Sequence, residues 1–175
     1  MGRAEVRLRM IEAAEDLSPA ILLATEFSDW ARGRSEAEYG IKLEESEGDL
    51  RLLSDLEGLR WPPARLYLAE IDDESVGIGG LRPLAGEEAE IKRMYVRPLF
   101  RGFGVGTAIL RQLIDDSRML GFKTVRLESA AFMHEAHALY RSFGFAPSIS
   151  YAGREFESVR AVDAVSVYMA LDLGE

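Results

Sequence analysis

The segment Arg101-Gly102-Phe103-Gly104-Val105-Gly106-Thr107 concentrates the groups of this chain best suited to bind a ligand. It follows a strand-like run, EAEIKRMYV, and opens a strongly amphipathic one. A glycine-rich strand-to-helix turn presents successive backbone N–H groups, and the helix dipole adds partial positive charge. Both favour phosphate oxygens, and glycine lets such a ligand approach the backbone. The turn also lies in a basic island. Residues 92–126 hold Lys92, Arg93, Arg97, Arg101, Arg111, Arg118, Lys123 and Arg126 against Asp115 and Asp116, a net of +6. The rest of the chain, with 13 basic and 28 acidic residues, carries −15. A charge cluster alone is usually a solvated face, but a glycine turn at its centre points to an anionic ligand.

The common nucleotide motifs do not fit. A P-loop needs Gly-Lys-Ser/Thr, and Gly106 is followed by Thr107. A dinucleotide fingerprint needs a third glycine or alanine, where one frame has Thr107 and the other Ile109. His134 and His137 have a spacing that suits a metal on a helix. Without cysteine or a supporting carboxylate pattern, a solvated or capping role is expected, and no metal.

The remaining 168 residues must position this turn. A net charge of −9, with 47% apolar and 29% charged residues, is ordinary globular composition. The length suits one domain over 1–175 that holds its own core without disulfides. Acidic balance disfavours a general nucleic-acid or anionic-membrane binder. No apolar run reaches the ~18 residues of a membrane span. The first sixteen residues lack a signal-peptide core, and Val6 breaks the myristoylation pattern that Gly2 would open. A soluble, unanchored, cytoplasmic protein is the expectation.

Alternation predicts a strand over 5–11. Ser18-Pro19 predicts a helix start with Ser18 as cap, a core side of Ile21, Leu22, Thr25, Phe27 and Trp30, and an end at Gly33. Leu50, Leu53, Leu56 and Leu59 mark a second helix over 48–59. Runs 64–71 and 75–84 read as a hairpin across Asp72-Asp73-Glu74, with Gly77, Gly79 and Gly80 signalling a bulge or a close approach. Then come a strand over 88–96, a helix over 104–120, a strand over 123–130 and a helix over 133–143. Strands from Phe145 and over 166–173 complete the order β-α-α-β-β-β-α-β-α-β-β.

The pattern Arg101-x-x-Gly104-x-Gly106 resembles the coenzyme A pyrophosphate loop of the GNAT acetyltransferase superfamily. EIKRMYVRPLFRGFGVGTAIL looks like that family's fourth strand, loop and helix. Ala136-x-x-x-Tyr140-x-x-x-Gly144-Phe145 looks like its second signature. The resemblance is specific over about residues 65–146. It implies a mixed α/β (α+β) fold: a mostly antiparallel sheet of six or seven strands, flanked by about four helices and splayed between strands 4 and 5. It also implies acetyl-coenzyme A as cofactor. The pantetheine arm would run along Met94, Tyr95 and Val96. The pyrophosphate would rest on the backbone of Arg101, Gly102, Phe103, Gly104, Val105, Gly106 and Thr107, with the eight cations of the island nearby.

In such enzymes a tyrosine on the last helix protonates the leaving thiolate, and Tyr140 matches it. An acid on the fourth strand removes the amine proton, often through water, and Glu90 is the candidate, with Glu88 and Glu128 as alternatives. Met133 stands where many members have Asn, and is expected to pack near the thioester. The first two helices usually shape the acceptor pocket, where Trp30, Tyr39 and Trp61 are available. Ten acids and four bases in 26–57 suggest a cationic acceptor, an amine of a small molecule or peptide. The partners expected are acetyl-coenzyme A and this acceptor, with a homodimer left open. The competing readings are a non-catalytic coenzyme A-binding module on the same fold and, disfavoured by its failed motifs, a nucleotide-dependent enzyme.

Overall fold

The structure is a computed structural model that describes residues 5–42, 45–154 and 164–174, with side chains of 45–50 excepted. Seven strands, β1 (Arg7–Met10), β2 (Arg65–Ile71), β3 (Glu74–Pro83), β4 (Glu88–Val96), β5 (Thr124–Ala130), β6 (Ala146–Pro147) and β7 (Ser166–Asp172), form one sheet. Its order is β1-β2-β3-β4-β5-β7-β6. Every neighbouring pair is antiparallel except β4–β5. Helices α1 (Leu17–Tyr39) and α2 (Glu45–Leu59) cover one face; α3 (Val105–Met119) and α4 (His134–Ser142) complete the fold. Leu23, Leu56, Leu59 and Ile78 belong to one core; Ile109, Leu113, Val125 and Tyr140 belong to the other. Among the described residues no helix is long and apolar enough to cross a membrane.

The β2–β3 hairpin turns on Asp72 and Asp73, both with positive φ, as a two-residue turn matching the sheet twist requires. The β3 glycines serve both ends that their pattern suggested. The β3–β4 register slips between Ile78 and Gly80, opposite Arg93 at φ +57°. A Cβ on Gly77 would stand 2.9 Å from Val105, on Gly79 2.4 Å from Ile109, and on Gly80 2.8 Å from Leu59. Bare backbone is what lets α3 and α2 lie close on opposite faces.

The first two helices differ from their sequence reading. α1 begins at Leu17, with Asp16 at the N-cap position but its side chain accepting from Arg9 instead of the helix, so Ser18 is already inside it. It runs through Gly33 to Tyr39. A glycine inside a helix costs roughly 1 kcal/mol, and the good helix formers after it outweigh that. Its end is Gly40, at φ +67°, whose N–H donates to Glu36 O at 2.9 Å. The buried face of α1 is Leu17, Ala20, Leu23 and Ala24, while Leu22 is exposed and Trp30 is partly exposed beside Phe27 and Phe132. In α2 the buried row is Leu52, Leu56 and Leu59, and Leu53 is exposed. Intervals of four and three keep one helical face, whereas repeated threes drift off it.

α2 is tied to the β4 bulge by Asp55, which accepts from Lys92 Nζ at 2.5 Å and from Arg93 Nε at 2.7 Å. Burial opposes the Asp55 charge, but Arg93 and Lys92 outweigh it and hold the pKa below its ordinary 3.8. A pKa lower in the folded chain means that the unfolded chain takes the proton first. The stabilisation is therefore present above the ordinary carboxylate range and is lost as pH falls through the folded value. Asp55→Asn is expected to cost about 3 kcal/mol at neutral pH and progressively less in acid. Melting curves of both proteins from pH 7 downward test this; a loss independent of pH contradicts it.

Candidate active site

β4 and β5 pair only from Glu88 to Glu90 against Thr124 to Arg126, although both strands continue. Beyond Glu90 the sheet is splayed. A cleft of about 860 Å³ opens there, bounded by the ends of β4, the turn into α3, the first residues of α4 and one side of α1. Met94, Tyr95, Val96, Arg101, Gly102, Gly104, Val105, Gly106, Thr107, Met133 and Tyr140 all line it. Phe103 is exposed and does not.

The register explains how β4 presents itself. Arg97 N–H donates to Val76 O at 2.9 Å, so Arg97–Val76 is a hydrogen-bonded pair and Val96–Gly77 a non-bonded one. The polar backbone groups of Val96 therefore turn away from β3, toward the opening. Tyr95 sits opposite Ile78, so its backbone serves β3 and its side chain faces α1. Val96 O accepts from Arg101 Nε at 3.2 Å.

The turn has the form that an anion needs. Gly102 and Gly104 have φ +82° and +87°, which other residues rarely adopt. The first helical bond of α3 runs from Ala108 N–H to Gly104 O at 2.9 Å. The N–H groups before Ala108 thus precede the helical ladder and point out of its end. Gly106 faces α4, where a Cβ would stand 3.2 Å from Leu139. These residues fit a diphosphate held by backbone.

The basic island is not a phosphate cage. Lys92 and Arg93 pair with Asp55, Arg97 with Glu26 and Glu74, Arg118 with Asp115, and Arg126 with Glu88. Of the eight cations only Arg101 lines the cleft. Its guanidinium lies 5.8 Å from the Trp30 ring and 3.7 Å from Glu135, so it spans the mouth from the turn to α1. Acids brought by α1, α2, β3 and β4 pair with cations that the linear sequence left bare.

Tyr140 is 6% exposed, and its ring lies 5.9 Å from that of Phe145. Its hydroxyl makes no hydrogen bond among the described residues, and burial raises its pKa well above the ordinary 10. It is a protonated phenol on the cleft wall. Glu90 is 1% exposed and does not line the cleft. It accepts from Arg82 Nε at 2.6 Å and from the Tyr151 hydroxyl at 2.7 Å. Glu88 is held by Arg126 at 2.7 and 2.8 Å, and Glu128 accepts from Ser166 at 2.9 Å and Arg154 at 3.3 Å. All three candidate bases are engaged.

Met133 lines the cleft, 3.5 Å from the Ser129 hydroxyl. His137 is not solvated: it is buried, 3.0 Å from Ser129 Oγ, and burial lowers its pKa. Trp30 lines the cleft, and Tyr39 stacks on Phe132 at 6.2 Å behind it. Trp61 lies elsewhere, under Arg60. Phe27, Arg34 and Phe132 line the cleft unannounced by any motif. The described acids of 26–57 are paired: Glu26 with Arg97, Asp29 with Arg32, Glu36 with Lys42, Glu38 with Arg34, Asp55 with Lys92 and Arg93, and Glu57 with Arg60. None of these acids lines the cleft.

Comparison with known proteins agrees with this geometry. The Acetyltransferase (GNAT) family profile matches residues 24–145. The N-acetyltransferase YjgM of Escherichia coli, itself uncharacterised, is 35% identical over 121 residues, 66% of this chain and 72% of that protein. The IAA acetyltransferase of Azospirillum brasilense is 35% identical over 95 residues, 54% of this chain and 62% of that one. Among solved structures, a GNAT acetyltransferase of Staphylococcus aureus superposes with a TM-score of 0.73 at 16% identity, covering 97% of this chain and all of that one. The PaiA N-acetyltransferase of Thermoplasma acidophilum, in complex with coenzyme A, superposes with a TM-score of 0.66 at 19% identity over 96% and 99% of the chains. With the splayed sheet, the glycine turn and the family match in place, the chain belongs to the GNAT acetyltransferase family.

Proposed function

We propose that this protein transfers an acetyl group directly from acetyl-coenzyme A to a primary amine. The observation that carries the reading is a single cleft that joins the glycine turn to Tyr140 through the opening between β4 and β5. The N–H groups of Gly104 to Thr107 hold the diphosphate. Val96 offers its backbone to the pantetheine arm once Arg101 Nε leaves its carbonyl.

In the reaction the amine lone pair attacks the thioester carbon and the C–S bond breaks. Tyr140 gives its proton to the departing sulfur. Its raised pKa keeps it protonated throughout the neutral range, and for the same reason the phenolate must regain a proton at once. The amine proton leaves to water. Glu90, Glu88 and Glu128 are engaged by Arg82 and Tyr151, by Arg126, and by Arg154 and Ser166, and they brace the strands around the opening. The apolar lining takes over part of a base's work, because desolvation lowers the pKa of a buried amine.

Two measurements test the reading. Calorimetry is expected to show binding of acetyl-coenzyme A and coenzyme A, and none of ATP or NAD. Thiol release in the presence of amines is expected to exceed release without them. Binding without amine-dependent release assigns the chain to the non-catalytic alternative, and failure to bind coenzyme A removes both.

A further inference from the structure

We infer that the acceptor is an amine carried on an aromatic body and bearing a carboxylate, as in an aromatic amino acid. The inference rests on the transfer reading above and names its second substrate. One wall of the cleft is aromatic. Phe27 and Trp30 of α1 lie 6.1 Å apart, and Trp30 meets Phe132 edge-on at 5.5 Å between ring centres. Tyr39 stacks on Phe132 from outside the cleft. Rings that brace one another form a rigid apolar surface, suited to a flat ligand group.

The charges on this wall have the wrong sign for a polyamine. None of the described acids of α1 and α2 reaches the cleft. The acid that does, Glu135, is 84% exposed and faces Arg101. A second ammonium on the acceptor would be desolvated there without a partner. Arg34 instead stands in the wall, 48% exposed, with its guanidinium 5.7 Å from the Phe132 ring. Its partner Glu38 lies one turn along the same helix and outside the cleft. An exposed ion pair of this kind is weak, so a ligand carboxylate can take the guanidinium fork. The same apolar wall keeps the single amine neutral, which is the form that attacks.

The test uses the full chain with acetyl-coenzyme A and follows thiol release with phenylalanine, phenylethylamine and spermidine. Phenylalanine is expected to give the highest kcat/KM and spermidine the lowest. Arg34→Gln is expected to raise KM for phenylalanine about tenfold more than for phenylethylamine, the loss of one charged hydrogen-bonded contact. Arg34→Lys should fall between, since it keeps the charge without the fork. Preference for spermidine, or equal effects of Arg34→Gln on both aromatic amines, overturns the inference and leaves transfer standing. No thiol release with phenylalanine or phenylethylamine also overturns the inference, and the transfer reading falls with it only if acetyl-coenzyme A binds and a broad panel of amines releases no thiol.

Discussion

Tyr140→Phe is expected to lower turnover by about 100-fold or more while leaving affinity for coenzyme A within about twofold. The reason lies in what the substitution removes. The ring of Tyr140 packs against Phe145 in the core beneath the cleft, and phenylalanine keeps that contact. The hydroxyl has no protein partner among the described residues, so its loss leaves no buried group unsatisfied. Folding should therefore be almost unaffected, and melting temperature serves as the control. What disappears is the one proton donor on the cleft wall that the sequence signature and the geometry place together. The effect belongs in kcat, because a proton given to departing sulfur matters in the transition state and not in the bound ground state. Turnover equal to that of the parent protein would remove Tyr140 as the donor.

Gly79→Ala is expected to destabilise the protein by about 3 kcal/mol, lowering the melting temperature by roughly 6–12 °C for a chain of this size. The added methyl would lie 2.4 Å from Ile109 Cγ2 and 2.9 Å from Met94 Sδ. Met94 lines the cleft and can turn its flexible side chain aside, but Ile109 is β-branched and fully buried and cannot. Ile109 is in the first turns of α3, and Met94 lies beside the β4 bulge. The helix must lift. That movement displaces the glycine turn relative to Val96, so coenzyme A affinity should fall as well, in calorimetry well below the melting transition. Gly33→Ala is the contrast, since nothing lies within 4 Å of its added methyl and the site is mid-helix. It should stabilise slightly. Gly79→Ala melting like the parent would mean that α3 is free to move on β3.

Most of the strands, α3 and α4 were legible because one local rule governs each. β4 is a run of strand-forming residues that ends before Pro98; α3 has a long apolar face bounded by glycines. α1 was misread because two local signals conflicted there. Gly33 is a stop signal by type, yet it lies mid-helix in a stretch of good helix formers, and Gly40 takes the left-handed cap. Leu53 was misread because the packing partner decides which of two near-equivalent faces turns inward.

The site divides along the same line. The glycine turn and Tyr140 are spelled out by residue type and spacing, since phosphate binding needs bare backbone at the start of a helix. The carboxylates are not. Glu90, Glu88 and Glu128 each look available in the sequence, and each meets a cation brought by another element: Arg82 across β3, Arg126 across β5, Arg154 from beyond β6. The +6 island thins in the same way: Lys92, Arg93, Arg97 and Arg126 each meet an acid from another element, and of the eight cations Arg101 alone lines the cleft.

The sequence by itself determined the family, the order of the elements, the glycine turn and the candidate donor. Each of these is written in contiguous residues whose chemistry is local. Tertiary structure alone decided which charges remain available and what faces the acceptor. Those depend on pairs far apart in the chain, Arg97 with Glu26 and Trp30 with Phe132 among them, and ion pairing and burial act through space.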